Sequence, residues 1–196
     1  MLRRVGGIKP IVLVAGPFTM RPPTATDAVD AQAMLLDADM QQWMPGPSDL
    51  SLDGVKEWCE RSADWSDGTF AMWIITDGAR IVGTALLVHI DVDDQRTASV
   101  AYRTASWARR RGVATEATIR LSGFAFDALG LERLEIHHAV ENTASCGVAH
   151  RAGYLLEGTL AKGYRDNSGQ RWDTHLHGRV SHRLQPSPVA STAHDD

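Results

Sequence analysis

The stretch between residues 97 and 140 constrains the fold most. Thr97 to Arg103 has the composition and length of a strand. From Val113 the apolar period changes. Val113, Ala117, Leu121, Phe124 and Ala128 are spaced 4, 4, 3 and 4 apart, which places them on one face of a helix. Gly130 is a fitting stop for it, because glycine takes left-handed backbone past a helix end without steric cost. Leu134 to Val140 then reads as a second strand. Strand, helix and strand in this order predict a right-handed crossover between two parallel strands.

The rest of the chain supplies antiparallel neighbours. Pro17 to Pro22 reads as a short strand, and Thr24 or Thr26 caps a helix running through Asp27, Ala31, Met34 and Leu35. Pro45-Gly46-Pro47 is a loop. Ser51 caps a helix near 52–64, with Val55, Trp58 and Cys59 on one side. Phe70 to Ile75 and Ile81 to Ile90 are strands around an Asp77-Gly78 turn, with Gly83 a candidate bulge. Asn142 caps a short helix that ends at Ala152-Gly153. Tyr154 to Leu156 opens another strand, and Trp172 to Leu184 is the last. The sheet is therefore mixed, in a single α/β domain.

Composition narrows the function. Of 196 residues, 43% are apolar and 22% charged, near the averages for globular chains. A chain this long buries roughly 70% of its unfolded surface and needs no metal or disulfide staple to fold. No run approaches the roughly 18 apolar residues of a membrane span. The net charge of -4 leaves no basic field for a nucleic-acid partner. Met1-Leu2-Arg3-Arg4 begins like a signal peptide, but the apolar run from Ile11 to Ala15 is too short for one. Cys59 and Cys146 make no disulfide framework and read as small buried residues of a reduced, cytoplasmic protein.

Chemistry concentrates at Arg109-Arg110-Arg111-Gly112-Val113-Ala114-Thr115, between a strand and the longest helix. The first N–H groups of a helix are unpaired and carry the positive end of its dipole. Gly112 allows a tight turn, Ala114 keeps the approach open, and the arginines with Arg103 add charge. Two readings stay open on the residues alone: a pyrophosphate cradle, and an exposed basic turn at a helix start. The turn is neither a Walker A loop, which needs Gly-Lys-Ser/Thr, nor a dinucleotide fingerprint, which needs more glycines.

The Arg-x-x-Gly-x-Ala spacing resembles the coenzyme A motif of the GCN5-related N-acetyltransferases (GNAT). Glu141-Asn142-Thr143-Ala144-Ser145, Arg151-Ala152-Gly153-Tyr154 and Glu157-Gly158-Thr159-Leu160 resemble that superfamily's second motif in its RimJ/RimL form, the ribosomal-protein N-terminal acetyltransferases. Phe18-Thr19-Met20-Arg21-Pro22 fits the first strand. The resemblance covers residues 17–184, with 1–16 as an N-terminal extension and 185–196 as a disordered tail.

The resemblance implies a twisted mixed sheet of about six or seven strands with flanking helices. Two parallel strands, here 97–103 and 134–140, splay to admit the pantetheine arm of acetyl-CoA. Backbone groups at Val100, Ala101, Tyr102 and Arg103 pair with that arm. Amides from Arg111 through Gly112, Val113, Ala114 and Thr115 hold the pyrophosphate, aided by a side chain of Arg109, Arg110 or Arg111. Asn142 contacts the arm. The implied reaction is direct attack of a neutral amine on the thioester, with an N–H near Val100 or Ala101 on the developing oxyanion. Ser145 is expected beside the thioester sulfur, as donor to the departing thiolate; its alternative role is to cap the helix. The tyrosine acid common in the superfamily is replaced by Ala149. No metal is expected, and a homodimer is compatible with the family.

Eight histidines are many for this length. His137-His138 precede Asn142, and His175 and His177 share a face of the last strand, beside the 134–140 strand in the family's sheet. Three readings stay open: structural histidines, a general base or relay through His138 and His175, and a zinc site, for which the spacing is non-standard and no cysteine is local. Glu135 and Glu141 are alternative bases, and Tyr102 and Tyr164 alternative relay hydroxyls. The acceptor groove is expected near Trp43-Met44-Pro45, Trp58, Trp65 and the 161–171 loop. A protein N-terminal α-amine is the first acceptor expected, a small-molecule amine the second. Coenzyme A binding without catalysis is the third reading.

Overall fold

The computed structural model describes residues 7–184 apart from 45, 79 and 167, and excludes the side chain at 39. The tail expected at 185–196 lies outside the described residues, as do residues 1–6 of the extension and Pro45 of the expected loop and groove.

Eight strands form one sheet in the spatial order β1-β2-β3-β4-β5-β6-β8-β7. They are β1 Leu13–Ala15, β2 Phe18–Arg21, β3 Ala71–Thr76, β4 Ile81–Asp91, β5 Thr97–Thr104, β6 Arg133–Ala139, β7 Leu155–Arg165 and β8 Arg171–Val180. The five helices are α1 Ala28–Leu35, α2 Ala38–Trp43, α3 Leu52–Ser62, α4 Val113–Asp127 and α5 Thr143–Arg151. The β5–β6 pair is parallel and the others antiparallel, so the crossover through α4 is as expected.

Four features differ from the sequence reading. The sheet has eight strands because β1, three residues with an exposed Val14, adds an edge through the Gly16-Pro17 turn. That strand lies within the segment read as an extension. Helix α2 adds a single short element, capped where the Asp37 carboxylate accepts from Met40 N at 3.2 Å. The last strand ends at Val180 and a 3-10 turn follows over His182–Leu184. The bulge expected at Gly83 falls one residue earlier. Ile75 faces Gly83 and Thr76 faces Ile81, which leaves Val82 as the extra residue. Gly83 has its own constraint, because a Cβ there would stand 2.3 Å from the Arg103 carbonyl oxygen.

The core fixes what the site is built on. Trp65 and Trp73 are buried with ring centroids 4.4 Å apart, and Trp73 meets Phe124 of α4 edge-on at 5.8 Å. Those aromatics belong to the interior, not to an acceptor groove. Val113, Ala117, Leu121 and Phe124 are buried, as their spacing requires. Ser122 Oγ donates to the Thr118 carbonyl and meets Tyr154 Oη at 2.7 Å, joining α4 to the segment entering β7.

Candidate active site

Strands β5 and β6 pair over three positions only, Thr97 with Arg133, Ala98 with Leu134 and Ser99 with Glu135. Beyond them the strands separate. Val100 to Thr104 and Ile136 to Ala139 then line a cavity of about 730 Å³. The separation leaves one edge of β5 without a strand partner along the cavity, an edge that an extended ligand can join by backbone hydrogen bonds.

At one end of the cavity lies the α4 N-terminus. Gly112 caps the helix with φ +79, and Arg110 also takes a left-handed φ of +63. Two left-handed residues so close turn the chain sharply into α4, whose first N–H groups have no intrahelical partner. Gly112, Val113, Ala114 and Thr115 line the cavity, as do Arg109 and Arg110. Arg111 does not. Its guanidinium pairs with Asp77 at 2.9 Å and ties the loop to the β3–β4 turn. Arg109 pairs with Asp37 at 2.8 Å, which anchors the loop to α2. Arg151 of α5 was not singled out as a site residue by the sequence. It lines the cavity and donates to Thr115 Oγ1 at 3.4 Å.

Asn142 is the N-cap of α5, and its Oδ1 accepts from Ser145 N at 3.2 Å. The capping bond thus uses the backbone of Ser145, not its hydroxyl. Ser145 Oγ has no hydrogen-bond partner among the described residues, and Ser145 lines the cavity. Tyr102 Oη donates to the Ser145 carbonyl at 3.1 Å, which fixes α5 to β5. Burial pushes the Tyr102 hydroxyl up to about 12, so it is a neutral donor at pH 7. Arg103 is buried in the cavity wall, and burial pushes its guanidinium down to about 10.

Met40, Trp43, Met44 and Tyr164 also line the cavity. Tyr164 Oη donates to the Trp43 carbonyl, and Trp43 meets Trp172 edge-on at 5.6 Å. Helix α2 is therefore held against β7 and β8. Of the six tryptophans, only Trp43 lines the cavity among the described residues. Met40 was missed because α2 was missed; Asp37, three residues before it, carried the capping signal.

The histidines separate. His137 is exposed at the cavity wall and meets Glu135 at 2.9 Å. His138 lines the cavity, and His175 and His177 do not. His138 Nδ1 donates to the Ala139 carbonyl at 2.8 Å, and its Nε2 lies 3.1 Å from Nε2 of His177. Burial pushes both imidazoles toward the neutral form. Cys146 lies beside this group, which corrects the expectation that no cysteine is local. The sequence hides this, because α5 returns over the sheet and brings Cys146 above two strands.

An unpaired strand edge, a helix N-terminus and a capped serine in one cavity match the acetyltransferase expectation. The model of the acetyltransferase (GNAT) domain family matches residues 18–155. The chain belongs to this family. It is an acetyl-CoA-dependent N-acetyltransferase. No curated protein matches the sequence. Among solved structures, a ribosomal-protein-S5-alanine acetyltransferase from Vibrio fischeri superposes with a TM-score of 0.78 at 19% identity, covering 90% of this chain and 100% of the other. RimJ of Mycobacterium smegmatis, in complex with CoA-disulfide, gives 0.78 at 23%, covering 91% and 90%. The microcin C7 self-immunity acetyltransferase MccE, in complex with acetyl-CoA and AMP, gives 0.76 at 22%, covering 84% and 92%. These GNAT neighbours share the fold. No helix among the described residues is long and apolar enough to cross a membrane.

Proposed function

We propose that the acceptor is the α-amine of a protein N-terminus. The observation that carries this reading is the single cavity that joins the α4 amides, Ser145 and the Met40–Trp43–Tyr164 wall. An apolar, aromatic wall suits the first side chain of a peptide better than a polycation. Neighbours described as ribosomal-protein acetyltransferases support it. The alternative is a small-molecule amine, supported by the likeness to the self-immunity enzyme.

Acetyl-CoA supplies the acetyl thioester. The residues fit it in three ways. Gly112 to Thr115 bring the α4 N-terminus to the cavity wall, with Arg110 and Arg151 also lining it, which suits a pyrophosphate. The Val100–Arg103 edge accepts an extended arm, and Asn142 stands where that arm passes. An N–H near Val100 or Ala101 donates to the developing oxyanion. Ser145 Oγ, uncommitted within the protein, gives its proton to the departing sulfur. The carbon–nitrogen bond forms as the carbon–sulfur bond breaks, the amine proton leaves through water to Glu141, and a proton from solvent restores the Ser145 hydroxyl.

Both ring nitrogens of His138 are engaged by Ala139 and His177, and His175 lies off the cavity wall. Neither is therefore kept as the base. Glu141, exposed at the cavity mouth, takes that role through water. A cytoplasmic location remains part of this reading; both cysteines are free, as a reducing compartment keeps them.

The test is incubation with acetyl-CoA and a pool of N-terminal peptides and small amines, read by mass spectrometry. Acetylated peptides support the reading. Acetylated small amines alone move the assignment to the alternative.

A further inference from the structure

Three imidazoles and a thiol converge beneath α5, and the acetyl transfer uses none of them. His138 of β6 lies directly opposite His175 of β8, and His177 is two residues further along the same face. Cys146, on α5, closes the group from above. One donor atom from each of the four lies within 4.8 Å of the others. His138 and His177 are buried, and Cys146 and His175 half-buried.

From this arrangement we infer a binding site for a zinc-class divalent ion, with His138, Cys146, His175 and His177 as its four ligands. The donor set is the first argument. Imidazole and thiolate suit Zn²⁺ and Co²⁺, and no carboxylate belongs to the cluster to favour Mg²⁺ or Ca²⁺.

Geometry is the second. Tetrahedral zinc with its usual bond lengths sets imidazole nitrogens about 3.3 Å apart, and nitrogen and sulfur about 3.6 Å apart. The His138–His177 nitrogens already stand at 3.1 Å. Closing the widest pair from 4.8 Å takes a movement of about 1 Å, within reach of side-chain rotation on Cys146 and His175.

Satisfaction of polar atoms is the third argument. His138 Nδ1 is held as a donor by the Ala139 carbonyl, which leaves Nε2 with its lone pair toward the cluster. That is the outer hydrogen bond that orients ligand histidines. Nδ1 of His175 is buried without a hydrogen-bond partner, and an ion bound at that atom would supply one.

The ion would join α5 to β6 and β8 one residue from Ser145. It is a site apart from the transfer chemistry, and it does not rest on the acceptor assignment. Binding to Cys146 displaces the thiol proton, which goes to buffer.

Cobalt reports the site directly. The full chain, reduced and stripped of metal, is titrated with Co²⁺ alone. The expected result is saturation at one equivalent, with intense visible bands of tetrahedral Co²⁺ and a near-ultraviolet thiolate-to-metal band. Zn²⁺ then displaces both. Cys146→Ser is expected to abolish the ultraviolet band, and His177→Gln to weaken uptake at least about ten-fold, the usual scale for a lost ligand-shell group. If either variant unfolds, the wild-type thermal midpoint decides: it rises by several degrees once Zn²⁺ exceeds one equivalent and climbs logarithmically with free Zn²⁺ beyond that. Absence of saturable uptake overturns the proposal. So do weak octahedral bands, or tetrahedral bands that survive in both folded variants.

Discussion

Replacing Gly112 with alanine tests the cradle at its most constrained point. Gly112 has φ +79, a conformation that alanine adopts at a cost of about 1–2 kcal/mol. A Cβ there would find no heavy atom within 4 Å, so steric collision adds nothing in the free protein. The whole penalty is conformational. If the free turn relaxes to avoid it, binding must restore the turn, and coenzyme A affinity falls by about 5- to 30-fold, at 1.4 kcal/mol per factor of ten. Gly68→Ala is the control. It has φ +73, its nearest added contact is 4.0 Å away, and it lies outside the cavity wall. Both variants should melt lower than the wild type, and titration calorimetry with coenzyme A should separate them. An unchanged dissociation constant in a folded Gly112→Ala chain refutes the cradle. Equal losses in the two variants refute it too, because strain alone would then explain the effect.

Ser145→Ala keeps the capping bond, which uses the backbone N–H, and should lower kcat by on the order of 10²-fold with acetyl-CoA affinity retained; equal falls in kcat and affinity would assign Ser145 to binding. Glu141→Gln should slow turnover without lowering the melting temperature, and an unchanged kcat would leave solvent alone as proton acceptor. Asp27 is buried, which raises its carboxyl, but hydrogen bonds from Arg21 and Thr24 outweigh this and hold it below the usual range. A group lowered in the folded state contributes stability above its unfolded value of 3.8 and loses it as pH falls through the folded one. Asp27→Asn should therefore cost about 1–3 kcal/mol at neutral pH, shrinking below the unfolded value; a difference that does not change with pH, measured by denaturant melts, would refute the pairing.

The sequence by itself determined the elements whose signal is local. The α4 face follows from the 3.6-residue period, and all but the terminal Ala128 of its five marker positions fall inside the helix. The α5 start follows from one capping asparagine. The tight turn into α4 follows from Gly112, because only a glycine takes that backbone cheaply. What spans the chain was decided by tertiary structure. β1 and α2 hold too few residues for a period to declare itself, and they exist because β2, β7 and β8 give them partners. Which arginines line the cavity depended on Asp77, a carboxylate distant in sequence that holds Arg111 off the wall, while Asp37 ties Arg109 to α2 at the wall itself. The histidines could be paired by strand order, yet Cys146 joined them only through the path of α5 across the sheet. A period of 2 or 3.6 fixes a residue's face; which residues meet across that face is set by how the elements pack.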